Sequence, residues 1–221
     1  MTLSKKIKPV FGIIDYKVNN ITSVLNSFKH LKLKFKIITK KNAEREFESV
    51  DALILPGVGS YPEAMQNIKR ENFYNLIRFH VLKKKKPILG ICLGMQLLTE
   101  SSEEFGLTKG LSLISGKVVK IQTKKLLVPN VGWNEVKVIK QNPLFANFDT
   151  KNINFYHVHS YQVLCKKKYS LAEIDYEKKI TVCINKGHIY GVQFHPERSH
   201  KNGFQLLLNF EKICNNLIWK N

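Results

Sequence analysis

A cysteine flanked by glycines occupies a position where a nucleophile could be held. The segment is Gly90-Ile91-Cys92-Leu93-Gly94, and it follows an apolar run that begins at Pro87. In a strand-to-helix turn of this kind, the nucleophile sits on strained backbone and the glycines let neighbouring backbone pack closely. The thiol then lies at a helix N-terminus, where partial positive charge favours the thiolate. We interpret Cys92 as a nucleophile with the Leu93 N–H placed to donate to an oxyanion. The alternative is a buried cysteine in a glycine-flanked turn.

A strand that ends in His-Pro-Glu could supply the base that such a nucleophile needs. It reads Gly191-Val192-Gln193-Phe194-His195-Pro196-Glu197. A cysteine nucleophile requires a base, and the base requires a group that orients its ring. Glu197 lies two residues beyond His195, so both side chains can face the same side of an extended segment, while Pro196 fixes the backbone between them. The pattern predicts a Cys92–His195–Glu197 triad, although a lone histidine is more often structural.

A third glycine-rich loop, Pro56-Gly57-Val58-Gly59, follows another apolar run. Its glycines permit a loop whose amides point into the same cleft. A phosphate cradle is the alternative, but the chain has no GxxxxGK[ST] motif, so a P-loop is disfavoured.

The order of the predicted elements determines how these three loops are positioned. Apolar runs predict strands at 10–14, 35–38, 50–55 and 87–91, with helices over 21–31, from Pro62, over 73–82 and after Cys92. This alternation implies parallel strands with right-handed crossovers and helices on both faces. After about residue 107, short β-rich runs predict further strands at one end of the sheet, partly antiparallel: 115–121, 136–138, 155–158, 170–173, 180–185 and 189–194. An amphipathic helix over 203–219 follows. We expect a single domain over residues 1–221.

The chain is basic, with 36 Lys and Arg against 17 Asp and Glu and a net charge of +19. The lysines form short clusters at predicted turns, without a helix–turn–helix, a ribonucleoprotein aromatic motif or a zinc module. We therefore expect no specific nucleic-acid binding, and a general preference for phosphorylated metabolites or acidic partner surfaces.

Cysteine spacing and hydropathy give further expectations. The cysteines at 92, 165, 183 and 214 form no CxxC pair, so we expect reduced thiols and no metal site. No apolar run of signal-peptide length precedes Asp15, and none approaches the roughly 18 residues of a spanning helix. We expect a soluble, unexported, cytoplasmic protein with no membrane contact.

The motifs together resemble the class I (triad) glutamine amidotransferases. Met95-Gln96-Leu97-Leu98 extends the cysteine segment in the way this family does. Within the class, the chain looks like the glutaminase subunit of imidazole glycerol phosphate synthase, on four further segments: 13–16, 55–59, 131–134 and 157–161. The resemblance implies a flavodoxin-like α/β fold, with a mostly parallel sheet flanked by helices and added antiparallel strands.

The resemblance also implies a mechanism without a cofactor or metal. Cys92 attacks the glutamine side-chain amide, and His195, held by Glu197, protonates the departing ammonia. His195 then activates the water that hydrolyses the γ-glutamyl thioester. The oxyanion rests on the amides of Leu93 and Val58, the latter after a peptide reorientation. The residues implied to hold the glutamine head group are Gly59, Gln96, Glu104, Ser160 and Tyr161. For Gln96, a surface helix position is the alternative.

The resemblance implies a heterodimer with a (β/α)₈-barrel synthase (cyclase) subunit that receives the ammonia and activates the glutaminase. Asn20, Trp133 and Asn134 match positions at that interface, although a core tryptophan is the alternative for Trp133.

Three segments depart from the family pattern. The first loop reads Asp15-Tyr16-Lys17-Val18-Asn19-Asn20 where Asp-Tyr-Gly-x-Gly-Asn is usual, Asn130-Val131 replaces His-Met, and Arg198 replaces Lys before the segment 199–203. These departures lie in partner-facing regions and leave the triad untouched, so they leave the ammonia acceptor open. The acceptor belongs either to histidine biosynthesis or to a paralogous branch that aminates a nucleotide-linked sugar for surface polysaccharide.

Two other function classes compete with this interpretation. A DJ-1/PfpI-like hydrolase or chaperone also has an elbow cysteine, but Gln96 and the His195-Pro196-Glu197 segment argue against it. A non-catalytic, basic, RNA-associated module would show salt-dependent binding and no glutaminase activity.

Overall fold

Strands and helices alternate through the first half of the chain, and strands dominate the second. The computed structural model describes residues 8–17, 21–149 and 153–218. The strands are β1 (Val10–Ile14), β2 (Lys34–Ile38), β3 (Ala52–Leu55), β4 (Ile88–Ile91), β5 (Ser101–Ser102), β6 (Thr108–Lys109), β7 (Gly116–Lys120), β8 (Asn130–Glu135), β9 (Lys137–Val138), β10 (Asn154–His159), β11 (Tyr161–Cys165), β12 (Ser170–Tyr176), β13 (Lys178–Lys186) and β14 (Ile189–Val192). The helices are α1 (Thr22–His30), α2 (Ala43–Ser49), α3 (Tyr61–Arg70), α4 (Phe73–Arg78), α5 (Leu93–Leu97) and α6 (His200–Ile218).

The main sheet has eight strands in the order β2-β1-β3-β4-β14-β13-β12-β9. The first five are mutually parallel, as the alternation of strands and helices predicts. β3, β4 and β14 are buried at every position, because helices or other strands cover both faces of the central sheet. On one face, Phe11 of β1 packs against Phe28 of α1 at 5.4 Å and against Phe210 of α6 at 5.9 Å between ring centroids. The other face buries apolar side chains of α2, α3 and α4.

The later strands only partly follow the prediction. β13, β12 and β9 extend the sheet antiparallel beyond β14, as expected. The expectation that all later strands join one end is wrong, because β8 and β10 form a separate two-stranded sheet and β11-β7-β5-β6 form another. In β10 buried positions alternate with partly exposed ones, which is typical of a small sheet with one covered face. Such a sheet packs over the main one instead of extending it.

Several helix bounds differ from the predicted ones. The last helix begins at His200, three residues before the predicted start, and Trp219 lies outside the described residues. α4 ends at Arg78 and continues as one π-helical turn over Phe79–Lys83. No helix among the described residues is long and apolar enough to cross a membrane.

The strand register brings the three predicted loops to one edge of the sheet. Leu55 at the end of β3 pairs with Gly90, and Val192 at the end of β14 pairs with Ile91. The carboxyl ends of three adjacent parallel strands therefore open side by side, which is where α/β sheets place their ligands.

Candidate active site

Cys92 sits on a strained turn between β4 and α5. Its backbone has φ 52° and ψ −109°, an unfavourable conformation for a residue with a side chain. The Cys92 N–H donates to the Val192 carbonyl at 2.8 Å, which fastens the turn to β14. A Cβ on Gly90 would lie 2.5 Å from the Gly94 carbonyl oxygen, and one on Gly94 would overlap the Leu55 carbonyl. The glycines are therefore required by close backbone contact, as the motif predicts.

His195 and Glu197 are joined by a short hydrogen bond. The His195 Nδ1–H donates to Glu197 Oε1 at 2.7 Å, and both side chains are buried. Nδ1 is thereby occupied, so Nε2 is the nitrogen left to act on Cys92. Burial lowers the pKa of His195, but the charges of Cys92 and Glu197 outweigh it and raise the pKa to about 10. The site therefore favours a protonated His195 beside the Cys92 side chain.

A cavity of about 340 Å³ opens above the cysteine and is large enough for an amino acid. It is lined by Val58, Gly59, Cys92, Leu93, Gln96, Glu104, Pro129, Val158, His159, Ser160 and Tyr161. The structure thus brings together every residue predicted for the oxyanion and for the glutamine head group. Their individual roles remain predictions.

Two predicted head-group residues are held from within the protein. Gln96 is only 5% exposed, so the alternative of a surface helix position is wrong. Glu104 is buried, and its Oε2 accepts the Tyr61 backbone N–H at 2.8 Å. Burial raises the pKa of Glu104, and the Tyr61 N–H partly opposes that shift. A cationic ligand beside Glu104 would favour its charged form.

The Pro56–Gly59 loop is tied down by Tyr16, which follows β1. The Tyr16 hydroxyl donates to the Pro56 carbonyl at 2.7 Å. A Cβ on Gly57 would overlap the same hydroxyl, so Gly57 allows the tyrosine to pass beneath the loop. Burial, reinforced by the Cys92 charge, raises the pKa of Tyr16, which keeps it a neutral donor. From the sequence, Tyr16 was a family signal only, and this contact was not predicted.

Gln193 is a site residue that was not predicted from the sequence. It is 0% exposed, and its Nε2 lies 3.7 Å from Cys92 Sγ. The signal was available, because residues two apart in an extended segment point the same way. If His195 points toward the cysteine, then Gln193 does too.

Trp133 lies on the outer face of the β8–β10 sheet, away from the cavity. It is 50% exposed, so the alternative of a core tryptophan is wrong. Its ring stacks on His200 at 5.4 Å with an angle of 6° between planes, and it meets Tyr156 edge-on at 6.1 Å. Asn134 Nδ2 donates to Asn130 Oδ1 at 3.1 Å. The third predicted interface residue, Asn20, lies outside the described residues.

Ser199 connects that outer face to the triad. Its buried hydroxyl donates to the His195 carbonyl at 2.6 Å and accepts the Tyr156 N–H at 3.0 Å. The His195 N–H in turn donates to the Tyr156 carbonyl at 2.9 Å. Three hydrogen bonds therefore join Tyr156 and His195 through one small loop.

Two further histidines, one lining the cavity and one behind it, remain neutral. His159 Nδ1 contacts the Tyr161 carbonyl at 2.8 Å, and its Nε2 lies 3.3 Å from His157 Nδ1. Burial lowers the pKa of His159 to about 4 and that of His157 well below its usual value. Within the described ranges, no group of three or more His, Cys, Asp or Glu residues is arranged to hold a metal ion.

The other three cysteines lack the surroundings of Cys92. All four are free thiols. Burial raises the pKa of Cys165 to about 11 and raises the pKa values of Cys183 and Cys214 strongly. They are packing residues, as expected for cysteines outside a motif.

A comparison with known families identifies the class. The family model described as glutamine amidotransferase class-I matches residues 12–213. The chain belongs to the class I glutamine amidotransferase family. This confirms the resemblance and its enzyme class.

Curated relatives of this glutamine amidotransferase cover nearly all of it. Imidazole glycerol phosphate synthase subunit HisH 1 of Campylobacter jejuni (strain RM1221) is 42% identical, over 92% of this chain and 100% of the relative. The HisH 2 subunit of Methanococcus maripaludis (strain DSM 14266) is 44% identical, over 92% and 99%. The HisH 2 subunit of Vibrio vulnificus (strain YJ016) is 43% identical, over 90% and 92%.

Solved structures show the same amidotransferase fold. A putative GMP synthase component from Thermoplasma acidophilum aligns with a TM-score of 0.72 at 20% identity, over 97% of this chain and 99% of that one. A glutamine amidotransferase from Thermotoga maritima aligns with a TM-score of 0.64 at 18% identity, over 96% and 95%. The predicted α/β fold is therefore confirmed.

Proposed function

We propose that this glutamine amidotransferase is the glutaminase subunit of an imidazole glycerol phosphate synthase, acting in histidine biosynthesis. It hydrolyses glutamine with Cys92, His195 and Glu197 and passes the ammonia to a (β/α)₈-barrel synthase subunit. One observation carries the chemistry: a strained cysteine faces a histidine held by a glutamate, at the floor of an amino-acid-sized cavity. The names of the relatives support the pathway.

The first half-reaction forms a thioester. The Cys92 thiolate attacks the side-chain carbonyl carbon of glutamine, and the developing oxyanion accepts the N–H groups of Leu93 and, after a peptide reorientation, Val58. His195 Nε2 then gives its proton to the amide nitrogen. The C–N bond breaks, ammonia leaves, and a γ-glutamyl thioester remains on Cys92.

The second half-reaction restores the enzyme. His195 takes a proton from water, and the resulting hydroxide attacks the thioester carbonyl. The C–S bond breaks, glutamate is released and the thiolate–imidazolium pair returns. Glu197 holds the ring in the tautomer that both steps need, because it occupies Nδ1 throughout.

The head group of glutamine fits the polar residues at the rim of the cavity. The α-ammonium requires acceptors, and Glu104 offers a buried carboxylate with one oxygen already held by Tyr61. Gly59, Ser160 and Tyr161 line the same cavity and complete the predicted head-group site.

The partner docks on the outer face of the β8–β10 sheet in this proposal. Val131 and Trp133 are exposed there although both are large and apolar. A half-exposed tryptophan is a typical interface anchor. We expect a heterodimer in which Trp133 and Asn134 contact the barrel subunit.

The test is glutamine hydrolysis by the co-expressed pair. The chain is produced with the barrel subunit of its own organism, and glutamate release is compared for the pair, for the chain alone and for the pair carrying Cys92→Ala. We expect hydrolysis to require the partner and to vanish in the variant. Full activity of the Cys92→Ala pair would refute the mechanism.

A second acceptor is favoured by one observation. Two of the departures lie on the proposed docking face, since His200 stacks on Trp133 and Val131 is exposed on the same side of β8. A changed docking face suits a different barrel, such as one that aminates a nucleotide-linked sugar for surface polysaccharide. Formation of imidazole glycerol phosphate by the pair would support histidine biosynthesis, whereas glutaminase activity without that product would support the sugar branch.

A further inference from the structure

We infer that Gln193 is a positioning residue that holds the Cys92 thiolate and connects it to the glutamine head-group site. Its side-chain N–H donates to Cys92 Sγ, and its carbonyl accepts the side-chain N–H of Gln96. This assignment rests on the proposed function, because it gives a role in that reaction to a residue outside the triad.

The orientation of Gln96 follows from a backbone carbonyl. The Gln96 amide lies 3.4 Å from the Tyr161 carbonyl oxygen and 3.1 Å from the Gln193 side chain. A carbonyl can only accept, so the Gln96 atom that faces Tyr161 must be Nε2. Both protons of that nitrogen are then committed to protein acceptors. Gln96 Oε1 is the polar atom left for the cavity, where it can accept from an α-ammonium.

The orientation of Gln193 follows from that of Gln96. Because Gln96 Nε2 donates, the Gln193 atom that faces it must be Oε1. The Gln193 amide nitrogen is thereby turned to the other side, 3.7 Å from Cys92 Sγ. The Gln193 side chain cannot easily rotate, since it is fully buried and both ends of its amide make hydrogen bonds. One backbone carbonyl thus determines which atom the sulfur meets.

The N–H has a definite effect at the sulfur. The Val158 carbonyl lies 3.9 Å from Cys92 Sγ and would accept from a thiol S–H, which favours the protonated form. A donor from Gln193 stabilises the charged form instead. Among the described residues, the titratable groups near this sulfur are His195 with its partner Glu197, His157 and His159 beside His195, Tyr16, and Glu104 in the same cavity. Gln193 is uncharged, unlike these groups, so its contribution does not itself titrate.

The chain of contacts also couples substrate binding to the nucleophile. An α-ammonium at Gln96 Oε1 polarises the Gln96 amide, which strengthens its N–H bond to Gln193, and hydrogen bonds in series reinforce one another. The Gln193 N–H then becomes a stronger donor to the thiolate. A bound head group is therefore sensed at the sulfur without direct contact.

Thiol reactivity tests the assignment without requiring turnover. The chain is treated with iodoacetamide from pH 5 to 10, and Cys92 alkylation is followed by peptide mass spectrometry. Gln193→Met keeps the volume and removes the N–H, so we expect the pH midpoint of alkylation to rise by about one unit. Gln205→Met is the matched control, because Gln205 also donates its side-chain amide, to Asn209 at 2.9 Å, but on α6. The control should leave the midpoint unchanged.

Two more variants keep the test decisive if Gln193→Met folds poorly. Gln193→Glu has the same shape, and its carboxyl can donate only when protonated, so alkylation should slow as that carboxyl ionises. Gln96→Met never touches the sulfur, yet it should also raise the midpoint because it leaves Gln193 unanchored. Wild-type profiles in the variants that fold would overturn the assignment.

Kinetics of the complex provide a second readout. In Gln193→Met, kcat should fall about tenfold while KM changes less than about threefold, since the lost interaction acts on the nucleophile. A rise in KM alone would overturn the assignment in favour of head-group binding. A shifted alkylation profile in a chain that never hydrolyses glutamine would instead retain the Gln193 contact and reject the proposed function.

Discussion

The floor of the cavity and the outer face of the β8–β10 sheet are built in opposite ways. At the floor, Cys92, Gln193 and His195 are buried, and glycines admit backbone contacts that no side chain would allow. On the outer face, Val131 and Trp133 stand half exposed or more, and the main contact is ring stacking between Trp133 and His200.

This difference in packing indicates which of the two regions tolerates substitution. The floor is fixed by steric exclusion and short hydrogen bonds, so few substitutions leave it intact. The outer face is fixed by side chains that solvent or a partner can replace. Val131 and His200, two of the departures from the family pattern, lie in the second region, where in the proposed function a change would alter partner recognition without altering the chemistry.

Replacing the nucleophile is the largest perturbation of the floor. Cys92→Ala in the complex should lower kcat for glutamine hydrolysis by about 10⁴-fold or more, because the thioester cannot form. The fold should persist, as measured by circular dichroism. A comparable loss of kcat in a variant of the proposed docking face that still binds the partner would contradict the view that only the cavity floor carries the chemistry.

A side chain at the elbow glycine Gly94 should lower the free energy of unfolding more than a side chain at a glycine far from the site. Gly94→Ala places a Cβ on the Leu55 carbonyl, and we expect the free energy of unfolding to fall by about 4 kcal/mol. Gly106→Ala is the control, since nothing lies within 4 Å of its Cβ and only its φ of +107° resists. That variant should lose about 1 kcal/mol in urea denaturation. Equal losses would show that the elbow is not sterically locked.

Weakening the base should change both rate and pH dependence. Glu197→Gln should lower kcat by about 10²-fold, because the ring loses its orienting charge. The His195 pKa is raised from 6.5 to about 10, so its stabilising contribution is fully present below pH 6.5 and is lost as pH rises through 10. The stability difference between wild type and Glu197→Gln should therefore shrink across that interval in urea titrations. A difference that grows with pH would contradict the assignment of charges.

Removing the hydroxyl beneath the Pro56–Gly59 loop should have a moderate effect. Tyr16→Phe deletes the 2.7 Å hydrogen bond to the Pro56 carbonyl and leaves the ring in place. We expect about 1 kcal/mol lower stability and a several-fold change in kcat with little change in KM, because in the proposed mechanism the loop carries an oxyanion donor. Unchanged kcat would mean that the loop is held without the tyrosine.

The smallest effect on stability belongs to the outer face. Trp133→Ala should change the free energy of unfolding of the isolated chain by less than about 1 kcal/mol, while weakening partner binding about tenfold or more in calorimetry. Leu164→Ala, another exposed apolar residue on a different sheet, should change neither. If Trp133→Ala lowered the free energy of unfolding by more than it lowered the free energy of partner binding, Trp133 would be a structural residue.

The parallel half of the fold was predictable because its signals are local. Each of its buried strands is a short apolar run, and the elbow glycines stand beside the residue they serve. The Cys92–His195 pairing was predictable since the chemistry of a thiol nucleophile demands a base. Gln193 was missed although it lies on the same side of its strand as His195, because an uncharged amide between two motif residues has no chemistry that would single it out.

The separate sheets could not be predicted from local signals. Whether β10 extends the main sheet or pairs with β8 depends on contacts between residues about twenty apart, such as Tyr156 opposite Trp133. Helix α2 was missed because seven residues give less than two turns of periodicity. The head-group residues came from family resemblance, since no spacing relates Glu104 to Gln96 or Tyr161.

The Ser199 loop contacts both the floor of the cavity and the β8–β10 sheet. Tyr156, under the Trp133 ring, and the triad histidine are bonded to one hydroxyl, and Gly203 lets the start of α6 press against Pro196. These hydrogen bonds and the close backbone contact make a rigid connection between the strand under Trp133 and the loop that carries His195. We therefore expect a displacement of Trp133 by a bound partner to shift the His195 ring as well.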